Sequence, residues 1–208
     1  MSLPDPIVFV VDDEASVRQA VIRLLGSWGL AAKGFASARE FLNEYRPECR
    51  GCIILDVAMP GQSGLELQQS LAAEATAPPI IFLSGRSDIP KSVHAMKQGA
   101  VDFLTKPIDA EDLIRAVNTA LDRDRETWKA RSERAEARQR LLTLTVRERE
   151  VLEHVISGKL NKQTAAELGT AEKTVKVHRA RVMRKMNVQS VAELVRLAAI
   201  ADVQPVRI

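Results

Sequence analysis

The segment Cys52-Ile-Ile-Leu-Asp-Val-Ala-Met-Pro-Gly61 decides the fold class of this chain. It begins with four apolar residues, the length of one short buried strand, and the run ends directly in Asp56. The segment Ile7-Val-Phe-Val-Val-Asp-Asp-Glu14 repeats the pattern, with five apolar residues followed by Asp12 and Asp13. Strands that are apolar on both faces are typical of a parallel sheet covered on both sides.

Three more strand candidates follow, at residues 31–35, 79–83 and 101–104. A helical pattern follows each strand candidate. Two of these patterns cover residues 14–28 and 90–98. The other three begin at the capping box Ser37-Ala-Arg-Glu40, at the capping box Ser63-Gly-Leu-Glu66 and near Asp109. Five strands that are each followed by a helix predict an α/β fold with a doubly wound five-stranded parallel sheet and right-handed connections.

Composition excludes several classes of protein. The chain has 208 residues, of which 46% are hydrophobic and 27% charged, so it can bury a core. The apolar runs are too short to span a bilayer, and the start MSLPDP has no signal-peptide pattern, so we expect a cytoplasmic protein without membrane contact. Residues 1–122 carry 11 basic and 16 acidic side chains, whereas residues 123–208 carry 19 and 11. This split predicts two domains with different partners.

Chemically active side chains follow four of the strands. Parallel sheets place ligands beyond the carboxyl ends of their strands, where we expect to find Asp12, Asp13, Asp56, Ser84 and Lys106. Clustered carboxylates suit a hard, partly hydrated cation such as Mg²⁺, and together with a lysine and a hydroxyl they could receive a phosphoryl group. One carboxylate could be the nucleophile. Taken singly, each residue could instead be an ordinary turn or core residue.

Three motifs resemble the receiver domain of two-component response regulators over residues 6–121, which implies a flavodoxin-like fold. They are Val10-Val-Asp-Asp-Glu14, Leu55-Asp-Val-Ala-Met-Pro-Gly61 and Phe103-Leu-Thr-Lys-Pro107. The resemblance implies that Asp56 accepts a phosphoryl group from a sensor histidine kinase. It also implies that Asp13, Asp56 and the backbone carbonyl of Ala58 bind Mg²⁺, with Asp12 acting mostly through water.

The same resemblance assigns the remaining residues of the site. Lys106 would contact the phosphoryl group, and the Lys106–Pro107 peptide bond would be cis. Ser84 would reach a phosphoryl oxygen, and Phe103 would follow it inward as the second switch residue. Two positions depart from the common pattern: Ala58 replaces a longer polar residue, and Ser84 replaces threonine.

Cys49-Arg-Gly-Cys52 is a CxxC motif, which could be redox-active in a chain with a βαβ pattern. Cys52 opens an apolar strand, and no second CxxC or nearby histidine completes a zinc site. Ordinary packing is therefore the favoured interpretation, and a functional disulfide is the alternative.

The second half of the chain is predicted to be helical. Residues 109–140 contain no proline or glycine, and residues 122–140 are interpreted as a helical linker extending into solvent, with a flexible linker as the alternative. Thr145-Val-Arg-Glu148 is a capping box for the next helix. Asn161 is expected to cap a helix over residues 162–168, which Gly169 ends. Helices over residues 172–187 and from the capping box Ser190-Val-Ala-Glu193 to about residue 201 complete a helix-turn-helix domain over residues 141–208.

A projection of residues 172–187 separates a core side from a cationic side. Val175, His178, Val182 and Met186 fall on the core side, where a structural histidine is favoured over a metal ligand. The other side carries small and basic residues, which fit a major groove, although such a run is often only a solvated face. Thr170 could cap the start of this helix.

The motifs Leu144-Thr-Val-Arg-Glu-Arg-Glu-Val-Leu152, Asn161-Lys162 and Lys173-Thr-Val-Lys-Val-His178 resemble the DNA-binding domain of the LuxR/FixJ/NarL type over residues 141–200. The resemblance makes residues 173–185 the recognition helix, with Lys176 and Val177 as base contacts and Lys162, Arg179 and Lys185 as phosphate contacts. The full set of expected DNA contacts is Lys162, Lys173, Thr174, Lys176, Val177, Arg179, Arg181, Arg184 and Lys185.

The whole chain is thus identified as a member of the FixJ/NarL-type response regulators. Phosphorylation of Asp56 is expected to change the surface formed by residues 90–98, 101–103 and 113–117. Two copies of the chain are then expected to form a homodimer through this surface and to bind double-stranded promoter DNA. RNA polymerase is a further expected partner. The alternative is a receiver module whose output is contact with another protein, with little specific DNA binding. A phosphotransfer enzyme such as an aspartyl-phosphate phosphatase is disfavoured, because no motif for a small substrate is present.

Overall fold

The computed structural model of the chain describes residues 5–72, 77–85 and 89–206. The start MSLPDP is expected to hold no signal peptide, and its residues 1–4 lie outside the described residues. The chain divides into two compact units, Met1–Trp128 and Lys129–Ile208. Within the described ranges, no helix is both long enough and apolar enough to cross a membrane.

The first unit is built on a parallel sheet of five strands in the order β2-β1-β3-β4-β5, which confirms the predicted fold class. The strands are β1 (Ile7–Val11), β2 (Ala32–Phe35), β3 (Gly51–Asp56), β4 (Ile80–Ser84) and β5 (Asp102–Thr105). The helices that follow them are α1 (Ala15–Ser27), α2 (Ala38–Glu44), α3 (Gly64–Ala72), α4 (Ile89–Lys97) and α5 (Ala110–Leu142), the last of which ends in the second unit.

An apolar cluster covers each face of the sheet, and alternate residues of a strand point into opposite clusters. Phe9 and Val11 of β1 belong to one apolar cluster, whereas Val8 and Val10 belong to the other. The first cluster also contains Phe35, Phe41, Ile53, Leu55, Leu67, Leu71 and Phe82. The second also contains Val21, Leu25, Ile54, Ile81, Leu83, Leu113, Val117 and Ala120.

The register of the sheet brings the strand ends to one edge. Val11 pairs with Leu55, so Asp12 and Asp56 follow at neighbouring positions of adjacent strands. Ser84, the last residue of β4, pairs with Thr105, and Lys106 comes next. The sheet order reverses between β1 and β3, the kind of position where such folds bind ligands.

Side-chain capping explains where α2 and α3 begin. At α3, the backbone N–H of Glu66 donates to Ser63 Oγ (3.3 Å), and Ser63 N–H donates to Glu66 Oε2 (2.8 Å), so the capping box is confirmed. At α2, Ser37 Oγ accepts from Glu40 N–H as expected, but the Glu40 carboxylate accepts from Ala36 N–H. Both arrangements satisfy backbone donors that a helix start leaves free.

The second unit consists of helices around one apolar core. After the end of α5 come α6 (Val146–Ile156), α7 (Asn161–Glu167), α8 (Glu172–Lys185) and α9 (Val191–Ile200). Gly169, with φ of 62°, separates α7 from α8, as the helix-turn-helix prediction requires. The core residues are Ala137, Leu141, Val151, Leu152, Val155, Ala165, Val175, Val182, Met186, Leu194, Ala198, Ala201 and Val203.

The capping box predicted for α6 is present. At α9, Ser190 Oγ accepts from Glu193 N–H as expected, but the Glu193 carboxylate accepts from Gln189 N–H. The helix boundaries of this unit also differ from the predictions. Asn161 is not the cap of α7: Leu160 holds that position, and the Asn161 side chain accepts a hydrogen bond from Arg179 instead. Helix α8 ends at Lys185 and not at residue 187, because Asn187 adopts a left-handed conformation with φ of 51°. Thr170 does not cap α8 either, since the N-cap is Ala171.

The stretch over residues 123–140 is helical, but it is not uniformly solvated. Asp124 is 5% exposed and bonds Arg50 within the first unit. Ala137 is fully buried in the core of the second unit. The sequence interpretation of this stretch as a helix extended into solvent is therefore wrong at these two positions.

Candidate functional sites

Three carboxylates meet at the edge of the sheet, as the strand ends predict. Asp12, Asp13 and Asp56 each offer an oxygen, and these oxygens all lie within 4.8 Å of one another. Asp12 is fully buried and Asp56 is 6% exposed, whereas Asp13 faces solvent. A cluster of hard oxygen donors at this spacing can hold a divalent cation.

Lys106 supplies the opposite charge in this cluster. Its Nζ lies 2.8 Å from Asp12 Oδ2 and 3.1 Å from Asp56 Oδ1. Partial burial would lower the pKa of Lys106, but its bonds to Asp12 and Asp56 outweigh that effect and raise the pKa, so the amine stays protonated. The peptide bond between Lys106 and Pro107 is cis, as predicted.

Burial sets the electrostatics of Asp56. Loss of hydration raises the pKa of its carboxyl, and the charges of Asp12 and Asp13 add to this rise. Lys106 opposes the shift through its hydrogen bond and its charge. An additional positive charge beside Asp56 would therefore favour the carboxylate form that a nucleophile needs.

Backbone contacts that sequence reasoning missed shape the same site. The N–H of Glu14 donates to Asp12 Oδ1 (2.8 Å), and Arg18 donates to the Asp12 carbonyl (2.6 Å). A Cβ on Gly64 would lie 2.3 Å from the Asp56 carbonyl oxygen, so only glycine lets α3 start this close to Asp56. The glycine inside the Ser63–Glu66 capping box was the one available signal.

The two predicted switch residues lie on neighbouring strands. Ser84 is 1% exposed, and its hydroxyl donates to the Gly85 carbonyl (3.1 Å). Phe103 is half-buried, with its ring centroid 6.1 Å from that of Phe82. Ala58 is exposed, two residues after Asp56.

The two cysteines are separated by the sheet. Cys52 is fully buried in the cluster that contains Val8 and Val10, whereas Cys49 packs against the cluster on the opposite face. Burial raises the pKa of the Cys52 thiol, and the charge of Asp124 raises it further. Both thiols are free.

The cationic side of α8 is exposed, and its core side is buried as the projection predicts. Val175, Val182 and Met186 are fully buried, whereas Val177 is 46% exposed. The exposed polar residues of this helix include Lys173, Thr174, Lys176, Arg181 and Arg184. His178 is half-buried, and its Nδ1 is buried without a hydrogen-bond partner among the described residues.

Two of the expected DNA contacts are engaged inside the second unit. Lys185 Nζ lies 2.5 Å from Glu148 Oε2 and donates to the Thr143 carbonyl (2.9 Å). Arg179 donates to Asn161 Oδ1 (3.1 Å). Lys162, by contrast, is exposed on α7. The structure therefore places Lys185 and Arg179 in structural contacts that the sequence did not reveal.

Two known families match the chain, one within each unit. The family described as "Response regulator receiver domain" matches residues 8–118, and "Bacterial regulatory proteins, luxR family" matches residues 142–198. The chain belongs to the response regulators. It is a transcriptional response regulator with a receiver domain and a LuxR-type DNA-binding domain, and the acidic cluster lies in the first match and α8 in the second.

Relatives match over nearly the whole chain. Nodulation protein W of Bradyrhizobium diazoefficiens is 46% identical over 92% of this response regulator and 85% of its own length. Transcriptional regulatory protein FixJ of Azorhizobium caulinodans is 45% identical over 98% and 95% of the two chains. The solved structure of the response regulator StyR matches with a TM-score of 0.85 and 46% identity, over 94% of this chain and 98% of that one.

Proposed function

We propose that this response regulator is switched by transfer of a phosphoryl group from a sensor histidine kinase to Asp56. The observation that carries the proposal is the position of the Asp56 carboxylate, 3.1 Å from the Lys106 ammonium and beside Asp12 and Asp13. An oxygen of Asp56 forms a bond to phosphorus as the phosphorus–nitrogen bond of the phosphohistidine breaks, and the electron pair returns to the imidazole. Lys106 then neutralises charge on the phosphoryl oxygens.

Mg²⁺ is the cation that this donor set suits best. Asp13 and Asp56, with the backbone carbonyl of Ala58, would hold it. Asp12 already has one oxygen on Glu14 N–H and the other on Lys106, which supports a role through water. The cation would neutralise negative charge around the phosphoryl group. Calorimetric titration with Mg²⁺ should show binding that the Asp13→Asn variant weakens at least tenfold.

The output of the switch is proposed to be dimerisation. Ser84 would exchange its hydrogen bond to the Gly85 carbonyl for one to a phosphoryl oxygen, and Phe103 would move inward behind it. These movements would change the face formed by α4, β5 and the start of α5, and a second copy of the chain would bind there. Because phosphorylation shifts a population, some active state exists without it.

Dimers would bind promoter DNA through α8 and recruit RNA polymerase. Lys176 and Val177 are the proposed base contacts, and the remaining contacts, Lys173, Thr174, Arg181, Arg184 and Lys162, would hold the phosphate backbone or adjoining base edges. The exposure of all these side chains supports the assignment. The internal bonds of Arg179 and Lys185 give those two residues a smaller part in it.

The test compares wild type with Asp56→Asn in gel shifts on genomic and random duplexes, with and without a small phosphodonor. Wild type should gain affinity for selected genomic sites on phosphorylation, and the variant should take up no phosphate and keep the weak state. Equal DNA affinity of the variant and the phosphorylated wild type would contradict the switch. Equal binding of random and genomic DNA would favour the module whose output is protein contact.

A further inference from the structure

The recognition helix α8 carries one acidic residue, Glu172, among its lysines and arginines. Its Oε1 lies 3.0 Å from Nζ of Lys176, one helical turn further along. The two side chains are 45% and 62% exposed, so both charges lie on the solvated surface of the helix. The lysine expected to contact bases is thus paired with a carboxylate in the free protein.

Stability does not account for this pair. An exposed ion pair contributes at most about 1 kcal/mol, and many contribute nothing measurable. A carboxylate in the first turn is favourable to the helix, but it is unfavourable beside DNA, because phosphates repel it. Glu172 should therefore weaken binding to any duplex on which α8 docks.

The penalty is unequal between DNA sequences. Non-specific binding depends almost entirely on cations that contact phosphates, and a Lys176 held by Glu172 is less available for that purpose. A guanine edge offers Lys176 two acceptors, O6 and N7, at one position in the major groove. Only a duplex with such a guanine edge gives Lys176 hydrogen bonds that replace its ion pair with Glu172.

We propose that Glu172 is a specificity-determining residue, which holds Lys176 away from phosphates and so lowers non-specific affinity more than affinity for the operator. The proposal rests on the proposed DNA-binding function. It assigns discrimination to a repulsive element as well as to attractive contacts, as specific interfaces commonly do.

The experiment measures the affinity of the full-length phosphorylated chain for two duplexes, one selected from a random library and one of scrambled sequence. Glu172→Gln should raise affinity for the scrambled duplex about fivefold, the range of one exposed ion pair, and raise affinity for the selected duplex less. The ratio of the two affinities should therefore fall. Glu150→Gln is the matched control, because Glu150 also forms an exposed pair, with Arg147 on α6 (2.7 Å), and its removal changes net charge equally.

Two results would overturn the proposal. In the first, Glu172→Gln changes both affinities by the same factor, as the control is expected to do. In the second, the ratio still falls when Glu172→Gln is introduced into Lys176→Ala, where no lysine remains to be held. Failure of the proposed function looks different, since wild type would then bind the selected and scrambled duplexes alike.

Discussion

Arg50 and Asp124 form a buried ion pair across 74 residues of sequence. Arg50 Nη2 and Nε each lie 3.1 Å from Asp124 Oδ2, and the side chains are only 6% and 7% exposed. Arg50 directly precedes β3, and Asp124 lies in α5 beyond the last residues that pack on the sheet. The pair therefore ties the continuation of α5 to the edge of the sheet opposite the carboxylate cluster.

Removing one partner of this pair should destabilise the first unit strongly. Arg50→Met leaves the Asp124 carboxylate buried without its ion-pair partner, which we expect to cost about 3–5 kcal/mol. Both tryptophans, Trp28 and Trp128, belong to the first unit, so urea unfolding followed by their emission reports on it. The double variant Arg50→Met with Asp124→Leu should recover most of the loss. A single variant as stable as wild type would contradict a stabilising role for the pair.

Alanine at Gly64 should distort the phosphorylation site. Its Cβ would lie 2.3 Å from the Asp56 carbonyl oxygen, and the backbone shift should cost about 1–3 kcal/mol. Uptake of phosphate from a small phosphodonor should slow as Asp56 moves. Gly26→Ala is the matched control, because a Cβ there meets open space within α1 and should stabilise the unit by about 0.5–1 kcal/mol. If both variants had the same urea midpoint, the close approach would be unimportant.

The stability of the second unit should fall in acid because of Glu148. The hydrogen bond from Lys185 and that from Thr145 N–H lower the pKa of Glu148 in the folded state. A lowered folded-state pKa means that the stabilisation is complete above the unfolded pKa of about 4.3 and is lost as pH falls through the folded pKa. Wild type should therefore lose urea resistance below about pH 4.3, and the urea resistance of the Glu148→Gln variant should depend less on pH.

This pH effect can be followed in the second unit alone. His154 and His178 are its two histidines, and their ring NMR signals change on unfolding. Glu150→Gln is the control, since its exposed pair with Arg147 should add little stability. An equally steep loss of urea resistance in Glu148→Gln and wild type would rule out Glu148 as the source.

Lys162 and Lys185 should differ in their effect on DNA binding, although both are basic residues of the helix-turn-helix. Lys162 is exposed, so Lys162→Met should weaken binding to random duplex and reduce the salt dependence of log K by about one unit. Lys185 is held by Glu148 and the Thr143 carbonyl, so Lys185→Met should lower the stability of the second unit and change the salt slope little. Equal salt slopes for both variants would contradict this distinction.

The sequence by itself determined the elements and the edge at which they act. Strand and helix patterns depend on residues within a few positions, and a parallel sheet necessarily brings its carboxyl ends together. The acidic cluster of Asp12, Asp13 and Asp56 could therefore be predicted without a structure, and so could the capping boxes at Ser63 and Thr145.

The tertiary structure alone decided which side chains bond across long separations. Nothing in the local pattern links Arg50 to Asp124, Lys185 to Glu148, or Asn161 to Arg179, because these pairs form only where packed elements bring distant residues within hydrogen-bond distance. An isolated basic residue looks the same in sequence whether it faces DNA or a buried carboxylate. Packing of α8 against α6 and α7 turned two of the expected DNA contacts into internal supports of the recognition helix, and left Lys176 and its neighbours exposed.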